Sequence, residues 1–319
     1  MADLFDDLIG QPRAVTLLTA ALERGRLAPA YLFTGADGVG RRLAALRLLE
    51  GILSGGVAGS EPIRRRLAQG NHPDLLWVEP TYQHQGRLVK ASEAEEQGIG
   101  RRTPPQLRLE QVREVTWFLA RRPVEGDRSL VVLEAAEAMA EAAANALLKT
   151  LEEPGHGLLI LLTAAPERLL STIRSRCQPI PFVRLSPALM QDVLRRQPQQ
   201  EQVAVDATGD PPELLELAAG SPGALLRHRR FWRGLPEGLA ERLLALGRDP
   251  MEALALARDL SEALDGEQQL WLLDWWQLQL WRRRRQQGPL RRIEQLRSHL
   301  LAFVQPRLAW EVALLDLGA

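Results

Sequence analysis

The chain has 319 residues, 45% of them apolar, with Lys+Arg and Asp+Glu balanced at 40 each. That size suits two or three domains with real cores, and a net charge of zero excludes a broad electrostatic pull on nucleic acid. The single cysteine, Cys177, excludes internal disulfides and any cysteine-based zinc cluster and fits a reducing cytoplasm. The acidic start, Met1 to Asp7, has no apolar signal core, and no run approaches about 18 apolar residues, so no membrane span is expected.

The first half alternates short apolar strands with helical periodicity, the pattern of a parallel α/β sheet. Tyr31 to Thr34 reads as a strand feeding Gly35-Ala36-Asp37-Gly38-Val39-Gly40-Arg41-Arg42. Leu43, Leu46, Leu49 and Ile52 follow near the spacing of a helix over 41–52. Further strands are expected at 74–78, 130–133, 158–163 and 180–183, with helices near 109–121 and 138–151. Residues 54–60 are Gly-rich and read as a loop. Residues 81–105, polar with both signs of charge and paired prolines, read as an irregular surface insertion.

From residue 187 strand signals vanish. Residues 187–227 read as a small helical bundle, broken at Gly209-Asp210-Pro211-Pro212 and Gly220-Ser221-Pro222-Gly223. The rest is helical and aromatic: five of the eight tryptophans (Trp271, Trp275, Trp276, Trp281 and Trp310) lie from Trp271 onward. Apolar residues point nearly every way between Leu270 and Trp281, so that helix must be buried. The Arg282–Arg285 run reads as a solvated helix end rather than a phosphate patch, and the tryptophans as packing rather than base-stacking.

The glycine loop has the shape of a phosphate-binding loop without its working groups. Such a loop needs Lys to reach the β- and γ-phosphates and Ser or Thr to hold Mg²⁺. Here Arg41 and Arg42 take those places. Only Lys90 and Lys149 are lysines, so Arg41 fits a general preference for arginine, whereas no such preference turns a hydroxyl residue into Arg42. Gly35, Gly38 and Gly40 leave backbone N–H groups able to meet an anion at a helix N-terminus, and a nucleotide held without hydrolysis is compatible with them. Arg41 would equally fill that space with its own charge, and both readings stay open. Leu130-Val131-Val132-Leu133-Glu134-Ala135 resembles a Walker B strand in which Glu134 keeps the first acid and Ala135 replaces the second. A methyl group cannot orient an attacking water.

The most specific segment is Asn145-Ala146-Leu147-Leu148-Lys149-Thr150-Leu151-Glu152-Glu153-Pro154, followed by Leu161-Leu162-Thr163 and Ser171-Thr172-Ile173-Arg174-Ser175-Arg176-Cys177. With Phe5 to Gln11, Ala30 to Gly35, Asn71-His72-Pro73-Asp74-Leu75 and Pro306-Arg307-Leu308-Ala309, this order resembles the clamp-loader branch of the AAA+ superfamily. The resemblance implies an α/β AAA+ core over 1–185, with a five-stranded parallel sheet and flanking helices. It implies a small helical lid over 186–228 and an all-α collar domain over 229–319. Ser175-Arg176-Cys177 then carries an arginine finger, Arg176, acting in trans on ATP bound to the next subunit. Thr163 falls at the sensor-1 position, and Gly223 stands where active members place a sensor-2 arginine. The four-cysteine zinc module of many such subunits is missing from 51–70, so zinc is not expected and His72 reads as a turn residue. Cys177 reads as a small buried hydrophobe, not a nucleophile.

Within that family the losses resemble those of a non-hydrolysing subunit of a DNA polymerase III clamp loader, and the resemblance implies a chain, monomeric alone, that joins delta and gamma or tau subunits to load a sliding clamp on primer-template DNA. Three alternatives remain at this level. An active gamma- or tau-type ATPase would need Lys and Ser or Thr at 41 and 42. A purely structural scaffold would leave Arg176 in a surface ion pair. A AAA+ repair or recombination factor would self-assemble and hydrolyse ATP.

Overall fold

The computed structural model describes residues 2–56, 60–84, 86–96, 104–153, 155–196, 210–284, 287–302 and 304–318. By its contacts the chain forms two compact units, Met1–Ile99 with Pro104–Arg196, and Gln197–Ala319 with Gly100–Thr103.

The first unit is built on five parallel strands: β1 (Ala30–Thr34), β2 (Leu75–Val78), β5 (Leu130–Leu133), β6 (Leu158–Thr163) and β7 (Gln178–Pro181). Their order across the sheet is β2-β5-β6-β1-β7. Helices cover both faces, which is why these strands read as unbroken apolar runs. Tyr31, Phe33, Val132 and Ile160 point to one face, with α1 (Pro12–Glu23) and α2 (Arg41–Leu53). Leu32, Val131, Leu133 and Leu161 point to the other, with α5 (Leu109–Ala120) and α6 (Glu141–Glu152). The last expected strand sits two residues earlier than its apolar pattern indicated, because Gln178 and Pro179 also pair with β1. Proline at a sheet edge loses no ladder bond that a neighbour needs.

The 81–105 segment is more regular than its composition indicated. β3 (Thr81–His84) and β4 (Arg87–Lys90) form an antiparallel hairpin, and α4 (Ala91–Glu96) follows. Thr81 and Gln106 close its base, each N–H donating to the other's carbonyl at 2.9 and 3.1 Å. That pairing spans 25 positions, beyond the reach of local periodicity, and among the described residues of the segment Thr81, Tyr82 and Ala94 are buried. Residues 97–103 lie outside the described set, as do 57–59 of the Gly-rich stretch; Ser54 to Gly56 form a turn.

α3 (Glu61–Ala68) precedes the Asn71–Leu75 motif. His72 is more than a turn residue: it is buried, and its Nδ1 accepts the Asp74 N–H at 3.2 Å. Burial holds its pKa below the usual histidine value, with Arg66 adding to the effect. Asp74 lies 2% exposed and accepts from the N–H groups of Val124, Glu125 and Gly126 at 2.5, 2.8 and 2.7 Å. One carboxylate thereby fixes the turn entering β5.

α8 (Pro187–Arg196) belongs to the first unit, whereas α9 (Pro212–Ala218) and α10 (Pro222–Arg233) belong to the second. The second unit continues with α11 (Leu239–Leu244), α12 (Pro250–Ala263), α13 (Gly266–Arg284), α14 (Gln287–Leu301) and α15 (Pro306–Gly318). Gly223 lies in the first turn of α10, where the Ser221 hydroxyl caps the helix by accepting the Ala224 N–H at 3.1 Å. The tryptophans of α13 are packing residues. Trp271 lies 5.6 Å from Phe231 and Trp275 5.4 Å from Trp232, ring centre to ring centre, while Trp276 meets Trp310. The indole N–H groups of Trp271 and Trp310 donate to His228 Nδ1 and Gln269 Oε1, each at 2.9 Å, whereas that of Trp276 is buried without a hydrogen-bond partner. Trp281 departs from the expectation: it is 49% exposed, because the stripe of α13 turns outward as its arginines begin. Arg282 pairs with Glu213 and Glu216 of α9, so this part of the basic run is a charged helix end tied within the unit. Arg285 lies outside the described residues.

Asp74 gives a test of this frame. Burial works to raise its pKa, but the three backbone donors outweigh it and hold the carboxyl below the usual range. A depressed folded-state pKa means stability present above the unfolded value, about pH 4, and lost as pH falls through the folded one. Asp74→Asn should cost about 1–3 kcal/mol at neutral pH, from donors left without acceptors. It should also flatten the acid limb of the pH–stability curve, read by thermal melts from pH 7 to pH 3.

Candidate functional site

The glycine loop leaves the C-terminal end of β1, next to β6. In open parallel sheets the crevice beyond the strand ends, where connections diverge, is where ligands bind. The Gly35 N–H donates to the Thr163 carbonyl at 3.2 Å, and the Phe182 N–H donates to the Thr34 carbonyl at 2.7 Å. A Cβ on Gly35 would stand 2.6 Å from the Phe182 carbonyl oxygen, so only glycine lets the chain pass. Gly38 and Gly40 take φ values of +75° and +102°, and Gly40 caps α2. Gln11, quoted in the sequence only as part of a terminal motif, proves to be a clamp. Its amide nitrogen donates to the Val39 and Val183 carbonyls at 3.1 and 2.7 Å, and its amide oxygen accepts the Val183 N–H at 2.9 Å. A glutamine buried to 2% exposure ties the loop to the chain leaving β7.

The charged groups around the loop are turned on one another. Arg41 is buried and pairs with Asp37, and its Nη1 is enclosed without a hydrogen-bond partner. Arg42 donates to Glu134 Oε1 at 2.8 Å and stacks 4.6 Å above the Trp77 ring. A guanidinium thus sits on the carboxylate that would face a metal, and no hydroxyl follows the loop. These residues do not fit a magnesium ion. With Arg42 62% exposed, the pair contributes about 0–1 kcal/mol to stability; its consequence is for charge placement. Ala135 adopts a left-handed backbone at φ +46°. Thr163 is fully buried, and its hydroxyl accepts the Ala165 N–H at 3.2 Å. Glu137, which the sequence reading passed over, accepts the Ala164 N–H at 3.0 Å beside it; no local pattern marks it.

Ser175, Arg176 and Cys177 lie elsewhere, in the turn between α7 (Ser171–Arg174) and β7. Ile173 and Cys177 are buried on either side and anchor the turn. The Ser175 hydroxyl donates to the Thr172 carbonyl at 3.1 Å, and the Arg176 N–H donates to the Ile173 carbonyl at 3.1 Å. Arg176 itself turns outward: Nη1 donates to the Thr172 carbonyl at 3.1 Å and Nη2 to Glu152 Oε1 at 2.8 Å. The register explains what it can reach. Gln178 pairs with Tyr31 near the start of β1, whereas Gly35 follows its end. At about 3.3 Å per residue, the four residues from Tyr31 to Gly35 span ~13 Å along the strands, and Arg176 precedes Gln178, so the two sites lie beyond opposite ends of the strands. The structure therefore brings Gly35, Gly38, Gly40, Arg41, Arg42, Glu134 and Thr163 together and sets Ser175, Arg176 and Cys177 apart from them.

Comparison with known proteins decides the family. A family model described as DNA polymerase III, delta subunit, matches residues 10–186, and one described as cyanobacterial DNA polymerase III delta prime, C-terminal domain, matches residues 188–317. The chain belongs to the DNA polymerase III delta-prime subunit family. The delta-prime subunit of Pseudomonas aeruginosa is 33% identical over 262 residues, covering 79% of this chain and 70% of that protein. That of Bacillus subtilis is 34% identical over 216 residues, covering 65% of this chain and 59% of that protein, so the match spans less than two thirds of its length. The crystal structure of a DNA polymerase III gamma subunit-related protein from Thermotoga maritima aligns with 95% of this chain and 97% of its own at a TM-score of 0.53 and 19% identity. That likeness is one of fold.

Cys177 is the group here whose chemistry is most easily checked. Burial pushes its thiol up to about 11, and the nucleophile is the thiolate. The native chain at pH 8 should react with a thiol reagent at least roughly a hundredfold more slowly than the chain in guanidinium. Rapid stoichiometric labelling of the native protein would contradict the buried placement.

Proposed function

We propose that this chain is the non-hydrolysing subunit of a clamp loader, completing a neighbouring ATP site through Arg176. The carrying observation is the opposition of the two sites: Arg176 stands at the N-terminal edge of the sheet, away from its own glycine loop. An arginine finger supplied in trans needs that placement, since it acts on a phosphate it does not bind. Its guanidinium is outward, and its turn is anchored by buried neighbours, so a positive charge is presented with little freedom to lose.

The chain's own loop supports the other half of the reading. Arg42 on Glu134 leaves no metal ligand pair, and Ala135 offers no group to orient water. This loop serves as a fixed part of the fold and takes no part in turnover; ATP is not required by this chain, nor is zinc. The partners are delta and gamma or tau subunits, and through the assembly a sliding clamp and primer-template DNA in the cytoplasm. The isolated chain is a monomer.

Two outcomes test the reading. The purified chain alone should show no ATP turnover. In a loader reconstituted with its companion subunits, Arg176→Ala should leave assembly intact and lower hydrolysis at the completed site by about 10³-fold, the lower end of what an arginine finger supplies, with clamp loading falling in parallel. Unchanged hydrolysis would leave Arg176 a surface ion-pair residue and favour the scaffold reading.

A further inference from the structure

The finger's immediate partner is Glu152, and the residue is poorly chosen for stability. It is the last residue of α6 and is followed by Glu153 at the cap. Two acids at a helix C-terminus oppose the helix dipole, where a cation is favoured. The Glu152–Arg176 contact is also exposed on both sides, 53% and 36%, and ion pairs of that kind add little to folding. The contact is nonetheless specific. Arg176 is gripped at two nitrogens, by the Glu152 carboxylate and by the Thr172 carbonyl, which also accepts from Ser175. α6 is itself set against α5 by the Thr116–Thr150 hydroxyl contact at 2.8 Å, so the carboxylate belongs to a packed element.

We propose that Glu152 is a positioning residue for Arg176: it holds the guanidinium in one orientation through Nη2 while the remaining donors of the fork meet a neighbour's phosphates. This rests on the finger reading above. The physical logic is pre-organisation. A free arginine side chain loses much rotamer freedom when it is fixed, and orientation lost at a reacting centre is paid in rate. A solvent-exposed carboxylate restrains the side chain without competing seriously with a polyphosphate, because water screens the pair. A deeply buried acid would draw the guanidinium inward, away from a neighbour's phosphates.

The test is a double-mutant cycle in the reconstituted loader, with per-site kcat and KM for ATP measured for wild type, Glu152→Ala, Arg176→Ala and the double variant. Glu152→Ala should lower kcat roughly three- to tenfold with KM unchanged, an effect on orientation in the transition state. Glu152→Gln, which keeps an acceptor oxygen, should recover part of the loss. Glu152→Ala added to Arg176→Ala should do nothing more, since its only route is through the arginine. Melting temperature and assembly of the Glu152 variants should match wild type. An unchanged kcat in Glu152→Ala beside an impaired Arg176→Ala would overturn the positioning role and leave the finger standing. Equal further loss on the Arg176→Ala background would place Glu152 on another path and overturn the proposal too. An unaffected Arg176→Ala would remove the finger and the proposal together.

Discussion

The parallel pairing of β7 beside β1 is the constraint on which the rest depends. β1 is held on one side by β6 and on the other by β7. Parallel register gives the sheet two chemically distinct edges. At the C-terminal edge the chain must turn out of β1 against Phe182 and Thr163, which fixes Gly35 as glycine. At the N-terminal edge the chain arrives from α7 through Ser175, Arg176 and Cys177. One strand pair thereby sets the distance between a phosphate-loop shape and an exposed guanidinium, and no side-chain rotation shortens it.

The two edges have been treated differently by the sequence. At the loop, the backbone is kept with care while its charges are closed on one another. Asp37 answers Arg41 and Glu134 answers Arg42, with Trp77 beneath. Gln11 then locks Val39 to Val183. The loop keeps its backbone geometry while its charged side chains pair with one another. At the other edge the anchoring is apolar, from Ile173 and Cys177, and the charge faces outward. Cysteine suits that place because it is small and buried with a raised thiol pKa, while serine stitches the turn through the Thr172 carbonyl. Each member of the triplet thus has its own physical task, and the arginine faces outward with Glu152 as its partner.

The second unit holds together by different means. Trp271, Trp275, Trp276 and Trp310 carry the packing, with Phe231 and Trp232 opposite. Bidentate Arg229–Asp210 contact, one arm at 2.7 Å, secures the start of α9. The contacts divide the chain at Arg196, leaving α8 with the sheet and α9 and α10 with the helices, so the run of helices after residue 187 serves two bodies. Nothing in local periodicity marks that division, because a helix reads the same whichever core it covers.

Much of the fold was written in local pattern. Strands buried on both faces appear as apolar runs, and Leu43, Leu46, Leu49 and Ile52, three residues apart, mark α2 as a helix, although its buried apolar face is Ala44, Ala45, Leu48 and Leu49. The missing hydroxyl at Arg42 and the missing acid at Ala135 are likewise facts of sequence, since chemistry absent from the chain cannot be restored by folding. Tertiary structure decided what depends on partners far apart in the chain. It closed Thr81 onto Gln106, set Arg42 on Glu134 across 92 positions, buried His72 and Asp74 beneath the 124–126 turn, and turned Trp281 outward. It also put Arg176 on the edge opposite the loop and gave it Glu152. Sequence determines which groups exist and which local shapes they prefer; only the packed sheet determines which of them can meet.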